Sequence, residues 1–300
     1  MNKSISDHHV FFVTYDEPDA ETLYAEASAH TICRISHVSA VTGFDAMLQH
    51  CAERSTTERF VTIDGDNRIN PALFFQRAGL VEEDVVQVFK SKNNVTGLEY
   101  DHGGVKIWPR NLVLLHPTHE KAKVEEAFVD VHYRKIGINF LASENRSNFS
   151  PLHAYRTAYR EATKLTMIQG VRLRDFNEMW GRLTDVNRSR LLTWLTVGSD
   201  VDLGWWSILG ARQALWNFWV KQYAHNLIHD FDRFARDFPH YHGEDDPEYA
   251  AKAMGRKLNR ILGIDLTNLE PEQSRFVKRT YLHPEHSGWI GHGQTKLDLL

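Results

Sequence analysis

Cysteine is scarce in this sequence, and long apolar runs are missing from it. The 300 residues include two cysteines, Cys33 and Cys51, which have no metal-ligand spacing between them. Two reduced, partly buried thiols are therefore expected, as in a reducing cytoplasm. No stretch of about 18 apolar residues occurs, which predicts that the chain does not span a membrane. The polar start MNKSISDHH lacks the apolar segment of a secretory leader, so a cytoplasmic location is expected.

An excess of positive charge is also missing. Lysine and arginine number 35 against 39 acidic residues, which gives a formal net charge of −4. The chain as a whole thus lacks the basic character of many nucleic-acid-binding proteins, although a local basic groove stays compatible with this composition. The sequence contains no Walker loop, no G-x-G-x-x-G after a strand and no G-x-S-x-G elbow. The absence of these motifs argues against three common nucleotide-binding and hydrolase classes.

The first 120 residues follow the pattern of an α/β sheet. The apolar run over 10–15 predicts a buried strand, as in a parallel sheet that is covered on both faces. The further predicted elements are helix 19–30, strand 32–35, helix 42–54 and strands 60–63, 85–90, 105–108 and 112–116. Strand, helix and strand in this order predict a βαβ unit within a Rossmann-type sheet.

The texture changes after about residue 120, where helical periodicity dominates. The predicted helices are 151–169, 173–181, 187–197, 205–235 and 247–262. Six of the eight tryptophans lie between residues 180 and 219, and core packing is the simpler role for most of them. We therefore predict an α/β fold with a mostly helical carboxy-terminal half. The two halves, 1–120 and 121–300, are expected to pack closely as one unit.

The turn Asp64-Gly65-Asp66 carries the clearest chemical signal. It directly follows the predicted strand 60–63, and ligands of open α/β sheets bind at such carboxyl strand ends. Two carboxylates separated by one residue can hold one divalent cation, Mn²⁺ or Mg²⁺, directly or through water. Such an ion bridges two phosphates and neutralises the charge on a leaving diphosphate. The alternative is a plain Asp-Gly turn after a strand.

The segments around this turn resemble a known class of enzymes. The strand start HVFFVTYDEP and the later FVTIDGDNRIN resemble the donor half of GT-A glycosyltransferases. The segments NNVTGLEYDHGGVKIWPRN, SPLHAYRTAYREATKL and DLGWWSILGARQA are similar to one GT-A family, the glycosyltransferases associated with TET/JBP-type base hydroxylases and related to the base J glucosyltransferase. The resemblance covers roughly residues 8–220. It implies a GT-A-like Rossmann-type sheet, with residues 1–120 binding a nucleotide-sugar and 121–300 binding the acceptor.

The family also implies a reaction. A sugar is expected to pass from a nucleotide-sugar, with a UDP-linked sugar as the first expectation, to a hydroxyl group. Members are widespread in bacteriophages and are thought to glycosylate hydroxymethylated pyrimidines in DNA. The resemblance therefore implies a 5-hydroxymethylpyrimidine acceptor, such as 5-hydroxymethylcytosine, and a location in the host cytoplasm. The low basicity departs from what a DNA acceptor leads one to expect.

Two alternative functions stay open. One is a GT-A glycosyltransferase that acts on a saccharide or a protein. The other is a non-catalytic nucleic-acid-binding protein. The sequence indicates no membrane association, and no protein partner can be inferred from it.

The resemblance places the donor near two strand ends. Asp64 and Asp66 are expected to form the metal and diphosphate site. Tyr15 and Asp16, after the first strand, are expected near the nucleoside. There an aromatic ring can stack on the base, and a carboxylate can accept from a ring N–H or a ribose hydroxyl. For Tyr15, core packing at a strand end is the alternative.

Three further residues are candidates for donor binding. Gly104 allows close backbone approach, and Lys106 could reach a phosphate or the sugar, although a tight hairpin with a solvated lysine is the alternative. Arg160 belongs to a stripe of cations and one histidine at helical spacing on the helix 151–169, which would suit phosphates. A solvated helix face with cations paired to nearby acids is the alternative for this stripe.

Asp202 and two late histidines complete the candidate site. Asp202 precedes a predicted helix, where a carboxylate base could deprotonate the acceptor hydroxyl, and it is also a suitable N-cap for that helix. GT-A enzymes often complete the metal site with a histidine from a late loop. His286 or His292 in HPEHSGWIGHG is therefore a candidate third metal ligand, with surface placement as the alternative.

Overall fold

The computed structural model describes residues 3–31, 33–101, 104–118, 133–168, 170–242 and 246–282. Its chain contacts separate these residues into two compact units. The first contains the described residues of 3–93 and 99–146, and the second contains Asn94–Leu98 and the described residues from 147 on. The strands are β1 Lys3–Ser4, β2 His9–Val13, β3 Ile35–Val38, β4 Arg59–Asp64, β5 Asn67–Ile69, β6 Arg77–Ala78, β7 Val85–Asn93, β8 Glu99–Tyr100, β9 Val105–Pro109 and β10 Arg134–Asn145.

Ten α-helices are described, three in the first unit and seven in the second. They are α1 Ala20–Ala29, α2 Phe44–Arg54, α3 Arg110–Leu115, α4 Pro151–Leu165, α5 Phe176–Arg182, α6 Asp185–Thr196, α7 Gly204–Leu215, α8 Phe231–His242, α9 Pro247–Leu262 and α10 Pro271–Thr280. Short 3-10 turns lie at Ile5–Asp7, Pro71–Phe75 and His225–His229, and a π-helical turn lies at Trp216–Val220. Within the described ranges, no helix has the length and apolar character needed to cross a membrane.

An eight-stranded mixed sheet forms the centre of the first unit. Its order is β3-β2-β4-β9-β7-β10-β5, and β8 pairs with β7. Strand β2 lies parallel to β3 and β4, and β7 lies parallel to β10. Strands β9 and β5 run antiparallel to their neighbours. The chain passes from β2 through α1 to β3, and then through α2 back to β4 on the other side of β2. The strand order therefore reverses between β2 and β4, at the position where open α/β sheets bind ligands.

Each face of this sheet carries an apolar core. In β2, Val10 and Phe12 lie in the core with α1, whereas Phe11 lies in the core with α2. In β4, Ile63 belongs to the first core and Phe60 to the second. Both faces are therefore covered, which is why residues 10–13 of β2 are apolar without interruption. The α/β class, the Rossmann-like sheet and the helical carboxy-terminal half are confirmed.

Several predicted elements are corrected by the structure. The segment 112–116, predicted as a strand, belongs to helix α3, because a short apolar run does not distinguish a strand from a buried helix. The strand predicted over 32–35 corresponds to β3, which spans Ile35–Val38. Two long elements were absent from the prediction, strand β10 and helix α10, as were the short strands β1, β5, β6 and β8. Because β10 pairs with β7 and β5, the first unit continues to Arg146 and beyond the predicted division at residue 120.

The second unit is built around α7, which packs against α4, α6 and α9. Gly210 permits this contact, since a Cβ atom there would lie 2.2 Å from the backbone oxygen of Tyr155 in α4. The helix predicted over 205–235 is in fact divided. After the π-helical turn, Gln222 adopts a left-handed φ of 57°, which ends the helix before the 3-10 turn and α8. Residues other than glycine rarely adopt this left-handed conformation, and the sequence gives no sign that the helix ends at Gln222.

Candidate functional site

The candidate site lies where β2 and β4 end side by side. The register pairs Val13 with Asp64, so the turn Asp64-Gly65-Asp66 lies beside the loop that follows β2. Gly65 makes this close approach possible. A Cβ atom there would lie 2.8 Å from Thr14 Cγ2 and 2.9 Å from the backbone oxygen of Val13. The turn therefore requires glycine at this position for steric reasons.

Glu17 adds a third carboxylate to the two aspartates of the turn. Its Oε2 accepts a hydrogen bond from the backbone N–H of Tyr15 at 2.7 Å. The same oxygen lies 3.0 Å from the position of a Cβ atom on Gly65. The sequence alone predicts no role for Glu17. The structure places it against the turn.

The carboxylate of Asp66 is held by two amide side chains. Asn67 Nδ2 donates to Asp66 Oδ1 at 2.6 Å, and Asn145 Nδ2 donates to Asp66 Oδ2 at 2.6 Å. The backbone oxygen of Asp66 also accepts from the N–H of Arg146 at 2.8 Å. Strand β10 thus fixes both the main chain and the side chain of Asp66, which is an arrangement that sets the direction of its remaining lone pairs.

A buried polar network supports these amides from below. Asn67 Oδ1 accepts from Ser143 Oγ at 2.7 Å and from Ser91 Oγ at 3.0 Å. Asn93 Nδ2 donates to Asn145 Oδ1 at 3.2 Å. All five side chains are buried, and parallel pairing of β7 with β10 places Ser91 beside Ser143 and Asn93 beside Asn145. Buried polar groups with several partners restrict one another, so the network makes the position of Asp66 rigid.

Gly104, directly before β9, packs against Asn67 of this network. Its backbone oxygen accepts from the N–H of Asp64 at 2.9 Å. A Cβ atom on Gly104 would lie 2.1 Å from Asn67 Oδ1, so only glycine leaves room for the fully buried Asn67. Close backbone approach was the predicted role of Gly104. The structure shows close approach to Asn67, and donor binding by Gly104 stays a prediction.

Negative charge is concentrated at the turn. The pKa of Asp66 is raised to about 7, chiefly by burial and also by the neighbouring charges of Asp64 and Glu17, against the opposing hydrogen bond from Asn145. Carboxylates that repel one another in this way are stabilised by a bound cation. The electrostatics of the turn therefore match the chemistry of a divalent cation site.

The donor set fits Mn²⁺ or Mg²⁺ in its chemistry. Such ions prefer oxygen ligands and are commonly held by one or two carboxylates together with waters and substrate phosphates. Asp64 and Asp66 would supply the carboxylates. Among the described residues, no group of three or more histidine, cysteine, aspartate or glutamate side chains has a metal-holding arrangement. His286 and His292, the candidate third ligands, lie outside the described residues.

Tyr15 and Asp16 lie in the loop after β2, beside the turn. The side chain of Tyr15 is 48% exposed, so core packing, the alternative considered for it, is wrong. Asp16 is exposed in the same loop. An exposed aromatic ring at a strand end can stack on a planar ligand, but the roles of Tyr15 and Asp16 in nucleoside binding stay predictions.

Lys106 lies on β9 opposite Thr62 of β4. Its Nζ lies 5.3 Å from the ring centroid of Phe44 and 5.6 Å from that of Trp108. The ammonium group is therefore held over two aromatic faces, which favours a fixed position over a freely solvated lysine. Contact of Lys106 with a phosphate stays a prediction.

The cations predicted on the helix 151–169 lie on α4 in the second unit. Arg156 is buried, donates to His153 Nε2 at 2.7 Å, and stacks over Phe231 at 4.2 Å from the ring centroid. Arg160 stacks over the same ring at 4.7 Å. Lys164 pairs with Glu161 at 3.0 Å. The simple solvated face is therefore wrong for the arginines, while donor binding by Arg160 stays a prediction.

Asp202 lies in an exposed turn before α7 in the second unit. Its backbone oxygen accepts from Asn148 Nδ2 at 2.9 Å. The N-cap of α7 is Leu203, with a left-handed φ of 60°, and no side chain caps this helix. The capping role considered for Asp202 is therefore wrong, because the turn places the aspartate one residue too early. Its role as catalytic base stays a prediction.

The amide and hydroxyl side chains that orient Asp66 were not predicted from the sequence. A signal for them exists in the repeated pattern of serine, charged residue and asparagine, at 91–93 and again at 143–145. Alternation in a strand puts the serine and the asparagine of each segment on the same face. Only the pairing of the two strands shows that these faces meet.

Comparisons with known proteins add little to this geometry. No protein-family model matches the chain, and no curated protein matches it significantly. Among solved structures, HddC from Yersinia pseudotuberculosis is similar over 43% of this chain and 69% of its own, with 10% sequence identity and a TM-score of 0.27. A TM-score this low carries no argument about fold or activity. The α/β class therefore rests on the strands and helices themselves, and membership of a GT-A family stays a proposal.

Proposed function

We propose that this protein is a metal-dependent glycosyltransferase that takes a sugar from a nucleotide-sugar, with a UDP-linked sugar as the first candidate, and transfers it to a hydroxyl group. One observation carries the proposal. Asp64, Asp66 and Glu17 converge where the strand order reverses between β2 and β4, at the carboxyl ends of parallel strands. Sheets of this kind bind nucleotide ligands at that position.

On this proposal, each donor residue has a defined task. Asp64 and Asp66 hold Mn²⁺ or Mg²⁺, which when bound neutralises charge on the diphosphate leaving group. Asn67 and Asn145 keep the Asp66 carboxylate in one orientation, so little reorganisation is needed when the donor binds. The exposed ring of Tyr15 stacks on the nucleobase.

The acceptor is the less constrained part of the proposal. The resemblance to glycosyltransferases of hydroxymethylated DNA favours a 5-hydroxymethylpyrimidine. Asp202, exposed in the second unit, would accept the proton of the acceptor hydroxyl. A saccharide or protein acceptor would keep the whole donor site and differ only in the second unit.

The test measures nucleoside diphosphate released from a panel of nucleotide-sugars in the presence of Mn²⁺. Each reaction runs with and without DNA that contains 5-hydroxymethylcytosine or 5-hydroxymethyluracil. Release stimulated by modified DNA is expected, with a loss of at least about 100-fold in Asp66→Asn. The matched control is Glu53→Gln, a charge-neutralising change at an exposed position of α2, which should leave release unchanged.

Other outcomes separate the alternatives. Diphosphate release that ignores DNA would keep the glycosyltransferase and discard the DNA acceptor. DNA binding without release, and unaffected by Asp66→Asn, would favour a non-catalytic nucleic-acid-binding protein. Calorimetric titration with Mn²⁺ alone provides a readout independent of activity. We expect Asn145→Ala, which removes one amide from Asp66, to weaken Mn²⁺ binding by roughly 10- to 100-fold.

A further inference from the structure

The second unit contains a cavity that the proposed donor site does not use. Its volume is about 350 Å³, within the range of roughly 300–1,000 Å³ that is typical of small-molecule sites. It lies between α4, the end of α7 with the following π-helical turn, and α8. Its walls come from side chains of the second unit alone.

Aromatic side chains make up half of the residues that line the cavity. The six are Tyr155, Tyr159, Trp216, Tyr223, Phe234 and Phe238. Those of α4 are buried and fixed by edge contacts with α8. Tyr159 meets Phe234 with ring centroids 5.2 Å apart, and Tyr155 meets Phe238 at 5.3 Å. Tyr223, which is 41% exposed, lies at the open side. A planar ring can stack against such walls.

Two amides stand among these rings. Gln213 Nε2 donates to Asn217 Oδ1 at 2.8 Å, and Asn217 in turn bonds the phenol of Tyr159. Asn217 lies in the π-helical turn, a rare distortion that occurs frequently at functional sites. The cavity therefore offers fixed hydrogen-bonding groups beside its stacking surfaces. This combination suits a planar ring that carries donors and acceptors at its edge, more than it suits a purely apolar ligand.

The charged side chains that line the cavity, Lys221, Arg233 and Asp237, carry a net positive charge. Lys257 of α9 lies with its Nζ 5.9 Å from the ring centroid of Trp216. The Arg233 guanidinium lies 5.8 Å from the ring centroid of Tyr223 and also bonds Asp237 at 3.2 Å. Cations beside an aromatic cavity favour a ring that is attached to a phosphate.

We propose that this cavity binds a nucleobase with its attached phosphate, and that the base is the acceptor base of DNA, extruded from the helix. This inference rests on the proposed function, because it assigns the acceptor side of the same reaction. Enzymes that modify a base place it in a pocket where it stacks on aromatic side chains and is bound by hydrogen bonds at its edge. The free nucleotide of the donor has the same chemistry, so the experiment separates the two sources.

The experiment uses the full-length protein without donor or metal. Fluorescence anisotropy measures binding of a single-stranded oligonucleotide with one 5-hydroxymethyluracil, and of the same oligonucleotide with an abasic site at that position. Tyr223→Ala should weaken binding of the first by roughly 5- to 100-fold, the range found when a stacking ring is removed. It should change binding of the abasic oligonucleotide by less than twofold, because that oligonucleotide lacks the hydroxymethylated base that the cavity is proposed to hold.

Two controls keep this result interpretable. Tyr249→Ala removes a tyrosine of α9 that is 69% exposed and does not line the cavity, and it should bind like the unaltered protein. Lys221→Glu changes an exposed lysine at the cavity, and it should weaken binding of both oligonucleotides. Thermal unfolding midpoints of all variants should agree within a few degrees.

The inference would be overturned if the unaltered protein bound the two oligonucleotides equally and Tyr223→Ala left both affinities unchanged. In that case, release of nucleoside diphosphate from the donor would still support the proposed function. Displacement of the oligonucleotide by free UDP, with UDP binding lost in Tyr223→Ala, would assign the cavity to the donor and overturn the acceptor role. If no reaction releases nucleoside diphosphate but oligonucleotide binding still depends on the base, the proposed function is wrong and the cavity remains a base-binding site.

Discussion

The substitution Gly104→Ala is the most specific test of how the Asp66 carboxylate is positioned. The added Cβ would lie 2.1 Å from Asn67 Oδ1 and 2.5 Å from Asn67 Cγ. Asn67 is completely buried and cannot turn away. Relief of the overlap must therefore disturb its bonds to Ser91, Ser143 and Asp66.

The size of the effect follows from these bonds. A typical intramolecular hydrogen bond contributes about 1 kcal/mol net, so the loss of three costs about 3 kcal/mol. Reduced entropy of the unfolded chain, which any Gly→Ala change brings, returns about 0.4–1 kcal/mol. We expect Gly104→Ala to lower the free energy of unfolding by roughly 2–3 kcal/mol. Because Asn67 also orients Asp66, Mn²⁺ affinity should fall by roughly tenfold or more.

Urea denaturation followed by circular dichroism measures the first quantity, and calorimetric titration with Mn²⁺ measures the second. The matched control is Gly79→Ala in the same unit, where a Cβ atom meets nothing within 4 Å. Its free energy of unfolding should rise by no more than about 0.4–1 kcal/mol, from the entropy of the unfolded chain alone, and its Mn²⁺ affinity should equal that of the unaltered protein. If Gly104→Ala also behaves like the unaltered protein in both assays, the account of Asn67 as the support of Asp66 is refuted.

Three further outcomes are expected. The pKa of Asp66 is raised from 3.8 to about 7 in the folded chain, so without divalent cation the contribution of Asp66 to the free energy of unfolding is lost as the pH rises from about 4 through 7. Urea denaturation at a series of pH values should show this fall in stability in the unaltered protein. The fall should be absent from Asp66→Asn and smaller when Mn²⁺ is present. Arg212 is completely buried and donates to Leu195 O, Ala251 O and Asn268 Oδ1, so Arg212→Met should destabilise the protein by roughly 3 kcal/mol or more in the same assay, whereas the exposed Arg256→Met should have little effect. Burial raises the pKa of Cys51 to about 12, so at pH 8 an aromatic disulfide reagent should modify Cys33 alone until the chain is denatured, and rapid reaction of both native thiols would contradict the described core.

Local patterns in the sequence were sufficient for most of the regular elements. The apolar run of β2, the periodicity of α2 and the strand before Asp64 were each placed within a few residues. These segments are covered on both faces or on one face, so burial selects their residue types and leaves a periodic pattern. Strand β10 left no such pattern, since its first residues are exposed and its pairing with β7 is interrupted by irregular register.

Part of the candidate site could likewise be predicted from local sequence, and part could not. The pair Asp64 and Asp66 could be recognised in the sequence because both residues belong to one turn, and a turn is a local feature. The sequence could not reveal the contribution of Glu17, Asn145 and Ser91, because each of them comes to the turn or its supporting network from a distant part of the chain. The same holds for the aromatic cavity, whose rings come from α4, the π-helical turn and α8.

By itself, then, the sequence determined the α/β class, the helical second half and the acidic turn, because hydrophobic periodicity and turn chemistry depend on neighbouring residues. The tertiary structure alone decided which side chains face that turn. Strand register brings Asn67, Asn93 and Asn145 together beneath Asp66, and register depends on contacts between residues more than 20 positions apart. Sterics also act at this level, since the requirement for glycine at Gly104 comes from Asn67, which lies on another strand.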